Sequence, residues 1–508
     1  MSALLHHLIR DIAAHTPAGV ALRDRHAALS YGQLWDRVRQ TAAGLQALGL
    51  TRGERIAIQL PKTFDNVVYM FAAAAAGCAF IPINPVLKAH QVLHILRDSG
   101  ARLLLTNVQR AELLRADAGT CPELRHLALT ESVPFTFDAH VRVIAAADIH
   151  DDRPPDEPDT SDLAAIFYTS GSTGQPKGVM LSHANLLVGA QSVNAYLHNT
   201  PQDRLLALLP FSFDYGFSQL SAAFAAGAEV VLMEYLLAQP IPRAIAQYGI
   251  TALAGVPTMW NQLSRVEWPA EARSCLRYLC NSGGSLPVGT TRRLRELLPD
   301  TAIYLMYGLT EAFRSTYLDP GLVDSHPDSI GRPIPNAEIH VVRPDGSECA
   351  ADEPGELVHL GPLVAQGYWH SSDRQNHTFG EWQGRSAVWS GDTVVRNKDG
   401  LLYFRGRRDE MIKTSGYRVS PSEIESVALT QEGVHNAVAA GLPDAELGQS
   451  IVLFVEGPCD PDELKALLHH ELPSYMHPTQ IRCMQRLPLT PNGKPDRSHL
   501  IELAGKDT

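Results

Sequence analysis

At 508 residues the chain has room for roughly three folding units of about 150 residues, or for a large enzyme core with an appendage, which excludes a single small binding module. Its 45% hydrophobic and 19% charged residues lie near globular averages, so each unit can bury a core. With 43 Lys+Arg against 55 Asp+Glu the net charge is −12, which argues against a nucleic-acid backbone as main partner but leaves room for a small anion in a local pocket.

The first fifteen residues lack the basic start and sustained apolar stretch of a signal peptide, and Asp11 argues against a transit peptide. Seven scattered cysteines with no CxxC pair fit a reducing, cytoplasmic setting. Residues 55–60 read as a buried strand, 64–77 as a helix and 79–83 as a strand, a βαβ rhythm that implies a mainly parallel sheet. The apolar run 67–81 is too short for the roughly 20 residues of a membrane span and is expected to be a core helix leading into a strand. Residues 151–162, rich in Pro and Asp, read as an exposed connector.

The alternation then resumes, with a strand at 163–167, another at 178–181 and a third at 205–209. A helix at 215–226, strands at 229–233 and 250–254, and a helix from Pro257 follow. Beyond Leu401 the rhythm changes to strand, charged turn and strand. Ser420-Pro421-Ser422-Glu423 then forms a capping box that opens a helix. Strands at 434–440 and 451–455 and a helix opened by Asp460-Pro461 complete a small α+β unit. The expected fold is α/β: a large N-terminal body of several subdomains with mainly parallel sheets, and a small α+β C-terminal domain.

The segment Tyr168 to Val179, YTSGSTGQPKGV, lies between two strand-like runs. Its glycines and hydroxyls can present backbone N–H and O–H groups to phosphate oxygens, and Lys177 adds a mobile positive charge. It is not a Walker A loop, because the GxxxxGK[ST] spacing is absent. Six further strings follow in series: Gly283-Gly284-Ser285-Leu286-Pro287, Tyr307-Gly308-Leu309-Thr310-Glu311, Ser390-Gly391-Asp392, Gly406-Arg407-Arg408-Asp409, Leu472-Pro473-Ser474-Tyr475-Met476 and Pro491-Asn492-Gly493-Lys494.

In that order and spacing the strings resemble the adenylate-forming superfamily of acyl- and aryl-CoA synthetases, luciferase-like ligases and adenylation domains of peptide synthetases. The resemblance runs through nearly the whole chain and implies a division into 1–408, which binds ATP and the acid, and 409–508, a mobile cap. It implies that Thr169, Ser170, Gly171, Ser172, Thr173, Gly174 and Lys177 hold the phosphates of ATP. Gly283, Gly284 and Ser285 would let backbone approach adenine, with Tyr307 and Gly308 beside the base. Thr310 would meet the α-phosphate and Glu311 a Mg²⁺ ion, a hard cation that takes few protein ligands beside phosphates. Asp392 and Arg407 would take the ribose.

Lys494 would bridge the substrate carboxylate and the α-phosphate, where a positioned cation relieves the repulsion between two anions. The resemblance further implies two half-reactions: acid plus ATP gives an acyl-adenylate and pyrophosphate, and a thiol then displaces AMP to give a thioester. Between them the cap would swing about Asp409 and bring Gly416 and Tyr417 in to shape a pantetheine channel.

The acid is read from Pro210-Phe211-Ser212-Phe213-Asp214-Tyr215-Gly216. Phe213 stands where many acyl- and aryl-CoA ligases carry a histidine, and Phe-Asp resembles amino-acid-activating members in which the aspartate pairs with the amino group. The expectation is an amino-bearing acid; alternatively Asp214 caps the following helix, and the substrate is a fatty or aryl acid. Gly255, Val256, Asn281, Met306, Ala312 and Phe313 are the other pocket candidates. Arg314 is expected at the surface, the other option being a second carboxylate of the substrate.

The thiol is that of CoA or of a carrier-protein phosphopantetheine. Because 14 residues follow Lys494, a carrier protein is expected to be free-standing and act in trans. A catalytically dead nucleotide-binding protein would have shed the chemical residues, which are all present. A metalloenzyme is not expected, since His6-His7 and His469-His470 are adjacent pairs that should project in different directions.

Overall fold

The computed structural model describes residues 3–138, 140–170, 176–234, 237–284, 286, 288–370, 378–407, 412–419, 421–434, 436–488 and 496–506. The βαβ rhythm forms as expected. Strands Arg55–Ile58 and Ala79–Pro82 pair in parallel, joined by the helix Phe64–Ala75. Thr63 starts that helix by accepting from the Asn66 N–H at 3.3 Å. Val67 through Ala75 are all buried, so the apolar run is core. No helix among the described residues is long and apolar enough to cross a membrane.

These strands belong to a seven-stranded sheet in the order Arg142–Ala145, His126–Leu129, Leu103–Thr106, Arg55–Ile58, Ala79–Pro82, Leu163–Ser170, Pro176–Ser182. Its last pair is antiparallel, and the two strands flank the glycine-rich segment in sequence. A nine-stranded sheet contains Val20–Arg23, Glu229–Leu232, Arg204–Ala207, Ala252–Gly255, Tyr278–Asn281 and Ala302–Tyr307 as successive parallel neighbours. The two sheets share one core. Phe71 of the first buried helix meets Phe217 and Phe224 of helix Asp214–Ala226 at ring distances of 6.0 and 5.3 Å, and Phe217 meets Phe80 at 5.2 Å.

A third, antiparallel sheet follows, built on Glu338–Val342, Pro354–Leu360 and the long strand Arg385–Arg396. Strand Leu402–Arg407 pairs with that long strand, setting Arg407 opposite Asp392. A fourth sheet, Tyr417–Val419, Ile412–Thr414, Gly448–Glu456, Asn436–Asp444 and Gln480–Met484, has its own core of Ile424, Leu453, Leu464, Leu468 and neighbours. Asp460 caps helix Pro461–Glu471 by accepting from Asp462 N–H at 2.8 Å. The Ser420 end of the capping box lies outside the described residues. The 151–162 connector is exposed over most of its length but strapped down, with Arg39 and Gln40 binding Asp152, and Arg52 binding Asp159 and Asp162.

Gly216 sets the approach of helix Asp214–Ala226 to the turn before it. A Cβ there would lie 1.9 Å from the Pro210 carbonyl oxygen, so backbone would have to move. Gly216→Ala is expected to cost about 3 kcal/mol of stability, the upper end for overpacking, read as a lowered denaturation midpoint at unchanged denaturant slope.

Candidate active site

A cleft of about 1330 Å³ opens among the four sheets. Of the residues given a site role from the sequence, Thr169, Lys177, Phe213, Thr310, Glu311 and Tyr417 line it. Thr169 and Lys177 face each other across the last strand pair of the seven-stranded sheet. Gly171, Ser172, Thr173, Gly174, Ser285, Asp409 and Lys494 lie outside the described residues, as do the side chains of Ser170 and Arg407.

Thr310 and Glu311 sit on a single 3-10 turn, Thr310–Ala312, after the strand Ala302–Tyr307. The Tyr368 hydroxyl donates to Glu311 Oε1 at 2.6 Å, and the Lys177 ammonium lies 5.4 Å from the centre of the Tyr368 ring. An anionic and a cationic group are thus held on one aromatic side chain at the cleft wall. Tyr307 is buried, its hydroxyl donating to Asp392 Oδ2 at 2.6 Å. Asp392 is itself fully buried, behind Ser390 and Gly391, which line the cleft.

The alternative reading of Asp214 as a helix cap does not hold. The helix begins at Asp214 itself, Phe213 holds the cap position without a side-chain bond, and the Asp214 carboxylate instead accepts from Thr310 Oγ1 at 3.1 Å. Burial raises the Asp214 pKa, opposed by the positive charge of Arg314 and by the Thr310 hydrogen bond. Asp214 makes no ion pair among the described residues.

Arg314, expected at the surface, is 2% exposed. The cause is local. Phe313 adopts a positive φ of +57°, unusual for a bulky residue, and its ring fills the notch left by Gly189, where a Cβ would come within 2.5 Å of it. That anchored reversal turns Arg314 inward, where Nη1 donates to Ser282 Oγ at 2.6 Å and the guanidinium lies 4.5 Å from the Tyr215 ring centre. Its Nε is buried with no hydrogen-bond partner. No carboxylate pairs directly with it among the described residues, and its charge is met only through space by Asp214.

The other pocket candidates divide. Ala312 and Phe313 are corrected to core positions, both fully buried, Phe313 against the helix His183–Leu197. Met306 accepts from the Tyr196 hydroxyl at 3.0 Å beside Arg314, in a small inner cavity. Asn281 holds the glycine turn by donating to the Gly284 carbonyl at 2.9 Å. Gly283 has φ +79°, open to glycine at no cost. A Cβ on Gly255 would strike Trp260 at 2.7 Å, and Gly308 has similarly close backbone neighbours, so both keep adjoining chain close.

The Ser415–Tyr417 loop is at the cleft. Gly416 has φ +80° and packs on Val256, with its carbonyl against Gly283, near Phe213. The Tyr417 ring stacks on Tyr475 at 3.7 Å. Arg418 reaches Asp392 at 3.6 Å, and Gln91 Nε2 donates to Glu423 at 2.9 Å. Tyr368, Arg418, Ser282 and Glu423 were not foreseen. Arg418 adjoins Tyr417, Ser282 lies between Asn281 and Gly283, and Glu423 belongs to the capping box, while Tyr368 carries no local signal.

His6 and His7 do converge, contrary to the expectation from adjacency. His7 Nε2 is 3.1 Å and His6 Nε2 3.9 Å from Glu157 Oε1. Arg10 already supplies the cation there, its Nη1 at 2.8 Å from His7 Nε2 and 3.2 Å from Glu157, so the cluster is a charge-satisfied brace.

The AMP-binding enzyme family matches residues 9–369, and the AMP-binding enzyme C-terminal domain matches 423–494. The L-proline--[L-prolyl-carrier protein] ligase of Pseudomonas fluorescens is 31% identical over 97% of this chain and 98% of its own length. The o-succinylbenzoate CoA synthetase of Bacillus subtilis, solved with its product analogue, is 25% identical with a TM-score of 0.83, covering 97% of this chain and 98% of that one. VinN, solved with L-aspartate, is 27% identical with a TM-score of 0.68, covering 79% of this chain and 98% of that one. Parallel-sheet body, small C-terminal unit and a shared cleft define an adenylate-forming fold, and the chain belongs to the AMP-binding enzyme family. It is an AMP-forming acid-thiol ligase, an enzyme rather than a dead nucleotide binder.

Proposed function

We propose that the chain activates an amino dicarboxylic acid of the aspartate class and transfers it as a thioester to a phosphopantetheine thiol. One observation carries the substrate: Asp214 and Arg314, a buried carboxylate and a buried guanidinium within electrostatic reach, each without an ion-pair partner among the described residues. Leaving either charge buried and unpaired costs several kcal/mol, roughly 3–5. A substrate with an ammonium for Asp214 and a second carboxylate for Arg314 and Ser282 satisfies both, and its remaining carboxylate reacts. A fatty or aryl acid would leave both charges stranded. That VinN was solved with L-aspartate supports the same class.

Residues 169–174 and Lys177 would hold the phosphates, Gly283, Gly284, Ser285, Tyr307 and Gly308 the adenine, and Asp392 and Arg407 the ribose. Glu311, a carboxylate on the cleft wall with one oxygen fixed by Tyr368, suits a hard cation and would hold Mg²⁺, whose charge would offset that of the phosphates. Thr310 would meet the α-phosphate while its hydroxyl also orients Asp214, coupling acid recognition to the reacting centre. The substrate carboxylate oxygen attacks the α-phosphorus and pyrophosphate leaves. With Gly416 and Tyr417 packed at the cleft, a thiolate then attacks the adenylate carbonyl and AMP leaves. Residues 1–408 and 409–508 would act as the two moving parts, hinged at Asp409.

The carrier-ligase relative supports a carrier protein as acceptor, and the CoA synthetase supports CoA. Comparing the two acceptors in one thioester assay decides between them. Free cysteines throughout the described residues suit a reducing cytoplasm. Arg314→Met tests the acid: exchange of pyrophosphate with aspartate-class acids should fall about thirtyfold, the value of a charged hydrogen bond of roughly 2 kcal/mol, while exchange with a neutral amino acid is unchanged or rises. Equal loss for both classes removes the second-carboxylate subsite.

A further inference from the structure

Glu423 lies on the helix Pro421–Ala428 of the C-terminal unit and lines the cleft where that unit meets the body. Its Oε1 accepts from Gln91 Nε2 at 2.9 Å, and its Oε2 is buried without a hydrogen-bond partner. The Gln91 amide cannot turn over, because its own oxygen accepts from the Lys88 N–H at 3.0 Å as part of a helix start. Glu423 is therefore offered a single neutral donor.

No charged group among the described residues compensates it. On the body helix Ala89–Ser99, His90 pairs with Glu471, His94 with the Pro176 carbonyl and Arg97 with the Leu93 carbonyl, while Lys88 donates to the His469 carbonyl. On the neighbouring elements of the C-terminal unit, Arg418 reaches Asp392, and Tyr417 and Tyr475 stack on each other. On its own helix Glu425 pairs with Arg497, and Glu463 on the packed helix Pro461–Glu471 takes Gln431.

We infer that Glu423 is a positioning residue that couples proton uptake to docking of the C-terminal unit: its neutral acid form holds the arrangement seen here, and its ionised form releases it. A neutral carboxyl can stay in this dry contact on one donor, whereas a carboxylate there is stranded and regains water once the unit moves away. Burial pushes the Glu423 pKa up to about 7 in the docked arrangement, from an ordinary value near 4.5. The docked form thus binds the proton more tightly. Docking strengthens as pH falls below about 7, by about tenfold between pH 8 and pH 6, and is flat above that range. Since Gly416 and Tyr417 are at the cleft in this docked arrangement, thioester formation is the step that the proton would favour. The inference rests on the two-arrangement mechanism proposed above.

The test is the docked-to-undocked ratio across pH 6 to 8.5, read by fluorescence transfer between a dye on the body and one on the C-terminal unit of the full chain. In the native protein it should change about tenfold between pH 6 and pH 8. Glu423→Gln, permanently neutral, should stay docked and show no such change. Gln91→Leu, which removes the one donor found among the described residues, should move the midpoint to higher pH and serves if the Gln variant does not fold. The same pH response in all three proteins overturns the latch. Thioester assays on the same samples separate the two ideas: a protein that shows the pH-dependent docking but never forms a thioester fails the proposed function and leaves the latch standing.

Discussion

Asp214→Asn is expected to lower kcat/KM for pyrophosphate exchange with an amino acid by a hundredfold to several thousandfold, at equal or higher Tm. Removing one partner of a buried ion pair costs about 3–5 kcal/mol because the other charge stays unpaired, and every 1.4 kcal/mol is a factor of ten. In the free enzyme the trade runs the other way: Asp214 is a buried carboxylate to which, among the described residues, only the Thr310 hydroxyl is bonded, so an isosteric amide relieves desolvation. Retained Tm with lost activity therefore separates a substrate contact from a structural one.

The sign of the pH effect follows from the same geometry. Burial raises the Asp214 pKa, and only the ionised form attracts an ammonium. KM for the amino acid should climb as pH drops through that raised pKa, and the climb should vanish in the Asn variant. An amide variant with native kcat/KM would place the amino group elsewhere.

What was legible in the sequence was whatever depends on neighbours along the chain. Thr63 capping, the apolar faces at 55–82 and the strand pair flanking the glycine-rich segment all form where their local chemistry asks for them. The same holds for Thr310 and Glu311, which share one turn. Arg314 was misread for a physical reason. Nothing in its flanking residues says that Phe313 will find a notch 124 positions earlier at Gly189 and turn the arginine inward. Asp214 could be read as a helix cap because caps are local, whereas its actual donor, Thr310, is 96 residues away. Glu423 was legible as a capping-box residue, but its exchange with Gln91 across 332 residues was not.

Lys494→Ala is expected to lower adenylation by at least a hundredfold while leaving thioester formation from a supplied acyl-adenylate near native. The reason lies in which charges meet at each step. In the first half-reaction a carboxylate must approach an α-phosphate, and loss of one preorganised stabiliser of such charge costs about 3 kcal/mol or more. In the second, the adenylate is already made and the groups at the cleft are those of the arrangement seen here, Gly416 and Tyr417 against Val256, Gly283 and Tyr475. A lysine working only in the other arrangement would have no part in that step. Pyrophosphate exchange and single-turnover acyl transfer, run on the same variant, measure the two halves separately. Equal loss in both would mean that Lys494 serves the fold or a shared step, and that one cap surface does not alternate with another.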